Sequence, residues 1–321
     1  MSGDRSAAHR RRGEPPPDSV FDAPAAAPGD RHAALVLSGL EVAFERMDET
    51  WHRAFLAWFG SHAADRAGSP EATLRLVAGR SDAPHFIAPP PAGRIEYNPV
   101  FVESRPEGDA HFRVRVCTYG QAARFTTAGG AGEILFSRAA FDPRERGVEN
   151  ILRVTLAWLA ATRGGMLLHS ASIEKDGRAW LFFGQSGAGK STLASLSRRG
   201  RVISDDLTLL LPGRDGRLEA IGSPFRGTYT HGEPVHGRFP VAAAFRLRKA
   251  GDDESARVEP LASAQALPDA FANLPFVVDQ LHGSPGLFAS IERSLKSIPM
   301  YLLRFTRHDD SFWDVIEAAG V

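Results

Sequence analysis

Apolar and polar positions alternate through much of the first half of the chain. In HFRVRVCTYG (111–120) an apolar residue recurs at every second position, the period of a strand with one face buried. AALVLSGL (33–40), ATLRLVAGR (72–80) and RIEYNPVFVE (94–103) carry similar strand and turn signals, so residues 32–145 read as a β-rich N-terminal domain. WHRAFLAWFGSHAA (51–64) departs from that period. Its aromatics Trp51, Phe55, Trp58 and Phe59 share one face of a short helix, and with no basic stripe beside them they read as core rather than a base-stacking platform.

From residue 147 the period changes. GVENILRVTLAWLAATR (147–163) places Ile151, Val154, Leu156, Trp158 and Leu159 along a helical stripe that ends at Gly164 and Gly165. MLLHSASIE (166–174), a KDG turn and RAWLFFG (178–184) predict a hairpin whose second strand runs into a glycine-rich loop. A helix at 191–199, a strand at 201–205 and further strands to about residue 225 follow. Then come a strand at 241–248, helices between 263 and 295, the strand MYLLRF (300–305) and a last helix from residue 310. Residues 146–321 therefore read as an α/β domain. Residues 1–31, with Arg10 to Arg12, Pro15 to Pro17 and an Ala/Pro/Gly/Asp run, are too poor in apolar side chains to offset the entropy of ordering, and read as a disordered tail.

Composition narrows the function classes. The 321 residues hold 38 Lys and Arg against 38 Asp and Glu, so the net charge of zero lacks the footprint of a nucleic-acid binder. Only four of the basic residues are lysines, so a lysine inside a motif is not there by composition. The single cysteine, Cys117, permits no intrachain disulfide, no apolar run reaches membrane-spanning length, and the N-terminus lacks a signal-peptide core. A cytoplasmic protein with neither membrane nor nucleic acid as partner is expected, and a homo-oligomer stays open.

One motif carries chemistry. GQSGAGKS (184–191) satisfies G-x-x-x-x-G-K-[ST] between a predicted strand and a predicted helix. Its glycines let the amides of Gly184, Gln185, Ser186, Gly187, Ala188 and Gly189 turn around phosphate oxygens, and the start of the helix adds its dipole. Lys190 reaches the β/γ-phosphates, the Ser191 hydroxyl serves Mg²⁺, and Thr192 follows in the first helical turn, so ATP and Mg²⁺ are the expected cofactors. Fifteen residues after Ser191, Asp205 and Asp206 close an apolar strand. A loop, a short helix and one strand use up that spacing and can return the acids to the phosphates, one to hold the metal and one to face the acceptor. Arg226, in SPFRG (223–227), is a candidate clamp for the γ-phosphate.

MLLHSASIE…RAWLFFGQSGAGKSTLASLSRRGRVISDDLTLL resembles the core of the HPr serine kinase/phosphorylase family, with ATP-dependent phosphoenolpyruvate carboxykinase similar at a greater distance through the short spacing from P-loop to Asp-Asp. The resemblance is strong over 167–225. SPFRG and PMYLLRF…FWDVI (299–316) extend it loosely toward the stand-alone HPr-kinase-like proteins of bacterial peptide-modification clusters, including lasso-peptide kinases. It implies a P-loop kinase core with a mixed sheet behind the β-rich domain. It also implies His169 as a strand histidine hydrogen-bonded to the base, Asp205 as the acceptor-side base and Asp206 as the metal ligand, the reverse order of the acids staying open. Thr192 stands where the HPr enzymes carry Glu, and their glycine-rich segment after the acids has no counterpart, which argues against HPr as acceptor.

The expected activity is therefore ATP- and Mg²⁺-dependent transfer of the γ-phosphate to a serine- or threonine-type hydroxyl of a peptide or protein. Two alternatives stand beside it: a nucleotide-binding regulatory protein without catalysis, and a kinase or phosphorylase acting on a small molecule. Strands such as HFRVRVCTYG are expected to offer an edge to an extended peptide.

Overall fold

The structure is a computed structural model and describes residues 21, 29–81, 100–108, 110–128, 130–137, 147–225, 227–229, 232–251 and 255–321. It is mixed α/β, with two mixed sheets and few helices. The chain divides into two compact units, Met1–Thr155 and Leu156–Val321. That division falls about ten residues beyond the boundary expected at 145/146, inside a helix that the sequence pattern places wholly in the second domain.

The first unit is built on an eight-stranded sheet. β1 (Arg31–Leu37) and β2 (Leu40–Met47) form a hairpin about Gly39, whose φ of 98° suits a residue without a Cβ. α1 (Glu49–Phe59) follows, started by Asp48, whose carboxylate accepts from the Trp51 amide at 2.8 Å. Of the aromatic stripe, Trp51, Phe55 and Phe59 are buried and Trp58 is half-buried. The remaining strands are β3 (Ala63–Ala64), β4 (Leu74–Ser81), β5 (Phe101–Pro106), β6 (Phe112–Cys117), β7 (Gln121–Thr126) and β8 (Ala131–Ser137), in the order β3-β1-β2-β4-β8-β7-β6-β5.

One expectation is corrected here. β6, the core of HFRVRVCTYG, is an interior strand hydrogen-bonded to β5 and β7, so it has no edge to offer; among the described residues the end strands of the sheet are β3 and β5. Within the segment read as a tail, Phe21 is 9% exposed and packs on Cys117, Tyr119, Ala122 and Leu135. Residues 1–20 and 22–28 of that segment, and residues 94–99 of the expected strand before β5, lie outside the described residues. Burial pushes the Cys117 thiol up to about 12.

α2 (Gly147–Ala161) carries the chain into the second unit. There β9 (Met166–Leu168), β10 (Ser170–Lys175), β11 (Arg178–Phe183), β12 (Arg201–Ser204), β13 (Thr208–Pro212), β14 (Leu218–Ile221), β15 (Arg238–Lys249), β16 (Arg257–Pro260) and β17 (Met300–Phe305) form one nine-stranded sheet. β10 and β11 are the expected hairpin, turning on Asp176 and Gly177 with φ of 54° and 76°, the pair of positive values that a tight two-residue turn needs. β11 and β17 flank β15 in parallel. α3 (Lys190–Leu196), α4 (Ser263–Ala272), α5 (Pro285–Lys296) and α6 (Phe312–Ala318) complete the unit. Its core joins Trp180 and Phe182 of β11, Phe245 and Leu247 of β15, Leu303 and Phe305 of β17, Leu193 of α3 and Trp313 of α6. Among the described residues no helix is long and apolar enough to cross a membrane.

Candidate active site

β11 is the buried strand that aims the loop. Leu181, Phe182 and Phe183 are fully covered, and the chain then turns through residues 184–189 into α3, a helix of seven residues. Gly187 and Gly189 hold φ of 80° and 107°, values that side-chain-bearing residues avoid. A Cβ on Gly189 would meet the Phe305 ring at 2.6 Å, whereas one on Gly187 would meet nothing within 4 Å. The loop is thus pinned to the sheet at Gly189 and open at Gly187. Gln185 and Ser186 are exposed, Ala188 is half-buried, Ser191 is half-buried and Thr192 is exposed.

Lys190 is 7% exposed and folds back over the loop, its Nζ donating to the carbonyls of Gly184 at 2.9 Å and Gln185 at 3.5 Å. Burial lowers its pKa, and the negative charge of Asp206 works in the opposite direction. Asp206 therefore acts electrostatically on the motif lysine.

The two acids do different things. Ser204, the last residue of β12, accepts from the amides of Asp206 at 3.2 Å and Leu207 at 3.1 Å and lies 3.1 Å from the Phe225 carbonyl. This turn sends the neighbouring carboxylates apart. Asp205 is 1% exposed and faces inward, taking the amides of Gly227 at 2.7 Å, Thr228 at 2.9 Å and Tyr229 at 2.9 Å. A Cβ on Gly227 would lie 2.9 Å from Asp205 Oδ2 and 3.0 Å from Asp206 Cβ, so that position needs glycine. Asp206 stays partly open, with Oδ1 3.4 Å from Nε2 of His169.

His169 sits where the chain passes from the ladder of β9 to that of β10. Its amide donates to the Asn273 carbonyl, just past α4, at 2.7 Å. Next to it the buried Thr208 Oγ1 lies 2.9 Å from both Ser170 Oγ and Ser172 Oγ, tying the histidine strand to the strand after the acids. Of the two orders left open for the acids, the structure places Asp206 beside His169, while Asp205 takes three backbone amides. Arg226 lies outside the described residues.

Sequence reasoning missed Ser204, Thr208, Gly227 and Asn273, all of which hold the acids or the histidine in place. A serine one residue before an acid pair at a strand end was the available signal for the turn. Nothing local marks Thr208 or Asn273. Among the described residues no three His, Cys, Asp or Glu side chains converge as a metal cluster.

A family model described as SynChlorMet cassette protein ScmC matches residues 148–320, more than half of the chain. The chain belongs to that family. The match covers the loop, His169, both acids and all of β9 to β17. No curated protein matches the chain.

Proposed function

We propose that this member of the ScmC family is an ATP- and Mg²⁺-dependent phosphotransferase that moves the γ-phosphate to a serine- or threonine-type hydroxyl of a peptide or protein, on a P-loop kinase core like that of HPr kinase and phosphoenolpyruvate carboxykinase. The observation that carries it is the buried Lys190 inside a glycine loop, within electrostatic reach of an Asp206 that pairs with a histidine. Nucleotide binding by itself has no use for His169.

The residues fit the groups they would hold. The open positive-φ glycine at 187 leaves room for phosphate oxygens against backbone amides, and Lys190 supplies the charge. Asp206 and Ser191 offer a carboxylate and a hydroxyl, the hard oxygen donors that magnesium takes together with phosphates and water. Bound ATP supplies the phosphoryl group, and the ion neutralises its charge. With Asp205 occupied, the roles expected of the acid pair fall to Asp206 and His169. Asp206 orients His169, and His169 takes the proton of the acceptor hydroxyl as that oxygen attacks phosphorus and the bond to ADP breaks.

Titration calorimetry with ATP and Mg²⁺, and transfer of labelled γ-phosphate to serine-containing peptide pools, test the reading. Wild type is expected to bind and transfer, Lys190→Ala to lose turnover, and His169→Gln to keep ATP affinity while losing transfer. Tight ATP binding with no transfer to any acceptor would favour a nucleotide switch, which the structural use of Asp205 makes the strongest rival. Equal affinity and equal transfer in wild type and Lys190→Ala would remove both readings.

A further inference from the structure

The edge of the sheet that carries the phosphate loop also carries a row of arginines. In the parallel pair of β15 and β17 Arg248 stands opposite Arg304, and in the antiparallel pair of β16 and β17 Arg257 stands opposite the same Arg304. Directly opposed residues project to one face, so three guanidinium groups line up across three adjacent strands. Their neighbours Leu247, Leu303 and Phe305 are buried in the core shared with α3, which puts the row on the other face. The loop touches these same strand ends. A Cβ on Gly184 would lie 3.6 Å from the Leu247 carbonyl oxygen, next to Arg248, and one on Gly189 would strike Phe305, next to Arg304.

Like charges set directly opposite each other destabilise a sheet unless something neutralises them. The first unit shows how this chain normally does so. Arg105 opposes Arg113 and Arg115 opposes Arg124, and each has a glutamate: Glu103 for Arg105 and Arg115, Glu107 for Arg113, Glu133 for Arg124. In the row beside the loop Arg257 has one, Glu259 at 2.9 Å. Among the described residues neither Arg248 nor Arg304 has an acidic partner, and Nε of Arg304 is buried without a hydrogen bond. Arg246, two residues before Arg248, is by contrast paired with Asp269 of α4 at 2.6 Å. Asp252, Asp253 and Glu254 of the segment between β15 and β16 lie outside the described residues.

We propose that the row Arg248–Arg304–Arg257 docks an acidic stretch of the phosphate acceptor, an extended peptide with carboxylates on alternate residues. This rests on the phosphotransfer reading and adds the substrate class to it. Strands about 4.8 Å apart make the row roughly 10 Å long, and alternate side chains of an extended peptide recur about every 6.7 Å, so two carboxylates reach it at once. One phosphate group is too short to engage all three arginines, and the phosphates of a nucleotide already have the loop and Lys190. Guanidinium groups bind carboxylates through paired hydrogen bonds, which supplies selectivity as well as charge.

The test uses the full chain and two dye-labelled peptides, Ser-Glu-Gly-Glu-Gly-Glu and its Gln counterpart, followed by fluorescence anisotropy with and without a non-hydrolysable ATP analogue and Mg²⁺. The Glu peptide is expected to bind wild type at least about tenfold more tightly, the advantage shrinking as salt rises from about 0.05 to about 0.5 M. Arg248→Glu, at an exposed position, should erase that advantage while calorimetric affinity for the ATP analogue stays within about twofold. Arg304→Gln should weaken the Glu peptide in the same sense, its thermal midpoint reporting whether it folds. Equal binding of the two peptides to wild type, or discrimination that survives Arg248→Glu, overturns the proposal. Loss of the ATP analogue from Arg248→Glu also overturns it, by assigning the row to the nucleotide. Discrimination by a wild type that binds no ATP analogue would leave the acidic docking site standing and remove the phosphotransfer reading alone.

Discussion

His169 stands 3.4 Å from Asp206, while Asp205, one residue earlier, is turned inward onto three amides. Adjacent residues at a strand end project to opposite sides, and the Ser204 turn fixes which acid goes where. One carboxylate thereby builds the loop at 227–229, and the other pairs with the histidine and acts electrostatically on the lysine.

The division of labour predicts two different failures. Asp205→Asn replaces an oxygen that accepts backbone N–H groups with an NH₂ that cannot, and should cost on the order of 1–3 kcal/mol in a urea melt. Asp206→Asn should leave the melt within about 0.5 kcal/mol, raise the Mg²⁺ requirement and lower transfer by several orders of magnitude. A stable, inactive Asp205→Asn beside an unstable, active Asp206→Asn would reverse the assignment.

Lys190 predicts a pH dependence of stability. Burial lowers its pKa in the folded protein below the ordinary 10.5, so between the lowered value and 10.5 the unfolded chain binds more protons. Its contribution to stability therefore rises with pH across that window. The thermal midpoint of wild type minus that of Lys190→Met should climb as pH is raised from neutral toward 10. A flat difference would mean that the folded lysine titrates like a free one.

Trp313 ties the last helix to the loop helix. It is fully buried, its ring lies 5.7 Å from Trp180 and 6.1 Å from Phe182, and its Nε1 donates to Ser197 at the end of α3 at 3.0 Å. Trp313→Ala should cost about 3–5 kcal/mol by urea denaturation. Trp313→Phe keeps most of the apolar contact and loses the hydrogen bond, and should cost about 1–2 kcal/mol. Equal midpoints for the two variants would show that the indole packing contributes little.

The loop at 184–191 was legible because its requirements are local: glycines at positive φ, a lysine of fixed reach, an apolar strand before it and a helix after it. The hairpin at Asp176 and Gly177, the helix from Gly147 and the strand Met300–Phe305 were legible for the same reason, since a turn dipeptide or a side-chain period declares them without knowledge of neighbours. β7 and β8 were missed as strands, though β7 alternates Ala123 and Phe125 against Arg124, because their signals run together with the glycine-rich turn between them.

By itself the sequence determined the phosphate-loop motif, the α/β character of the second half and the nearness of an acid pair to that loop along the chain. Only the tertiary structure decided that β6 is interior, that Asp205 is structural while Asp206 meets His169, and that Arg248, Arg304 and Arg257 form one row. Each of these depends on which distant strand or loop lies alongside, as with Arg257 and Arg304, 47 positions apart and directly opposed. A local period fixes which way a side chain points relative to its own backbone; what it points at is fixed by strand order and register, which long-range hydrogen bonds and core packing select together.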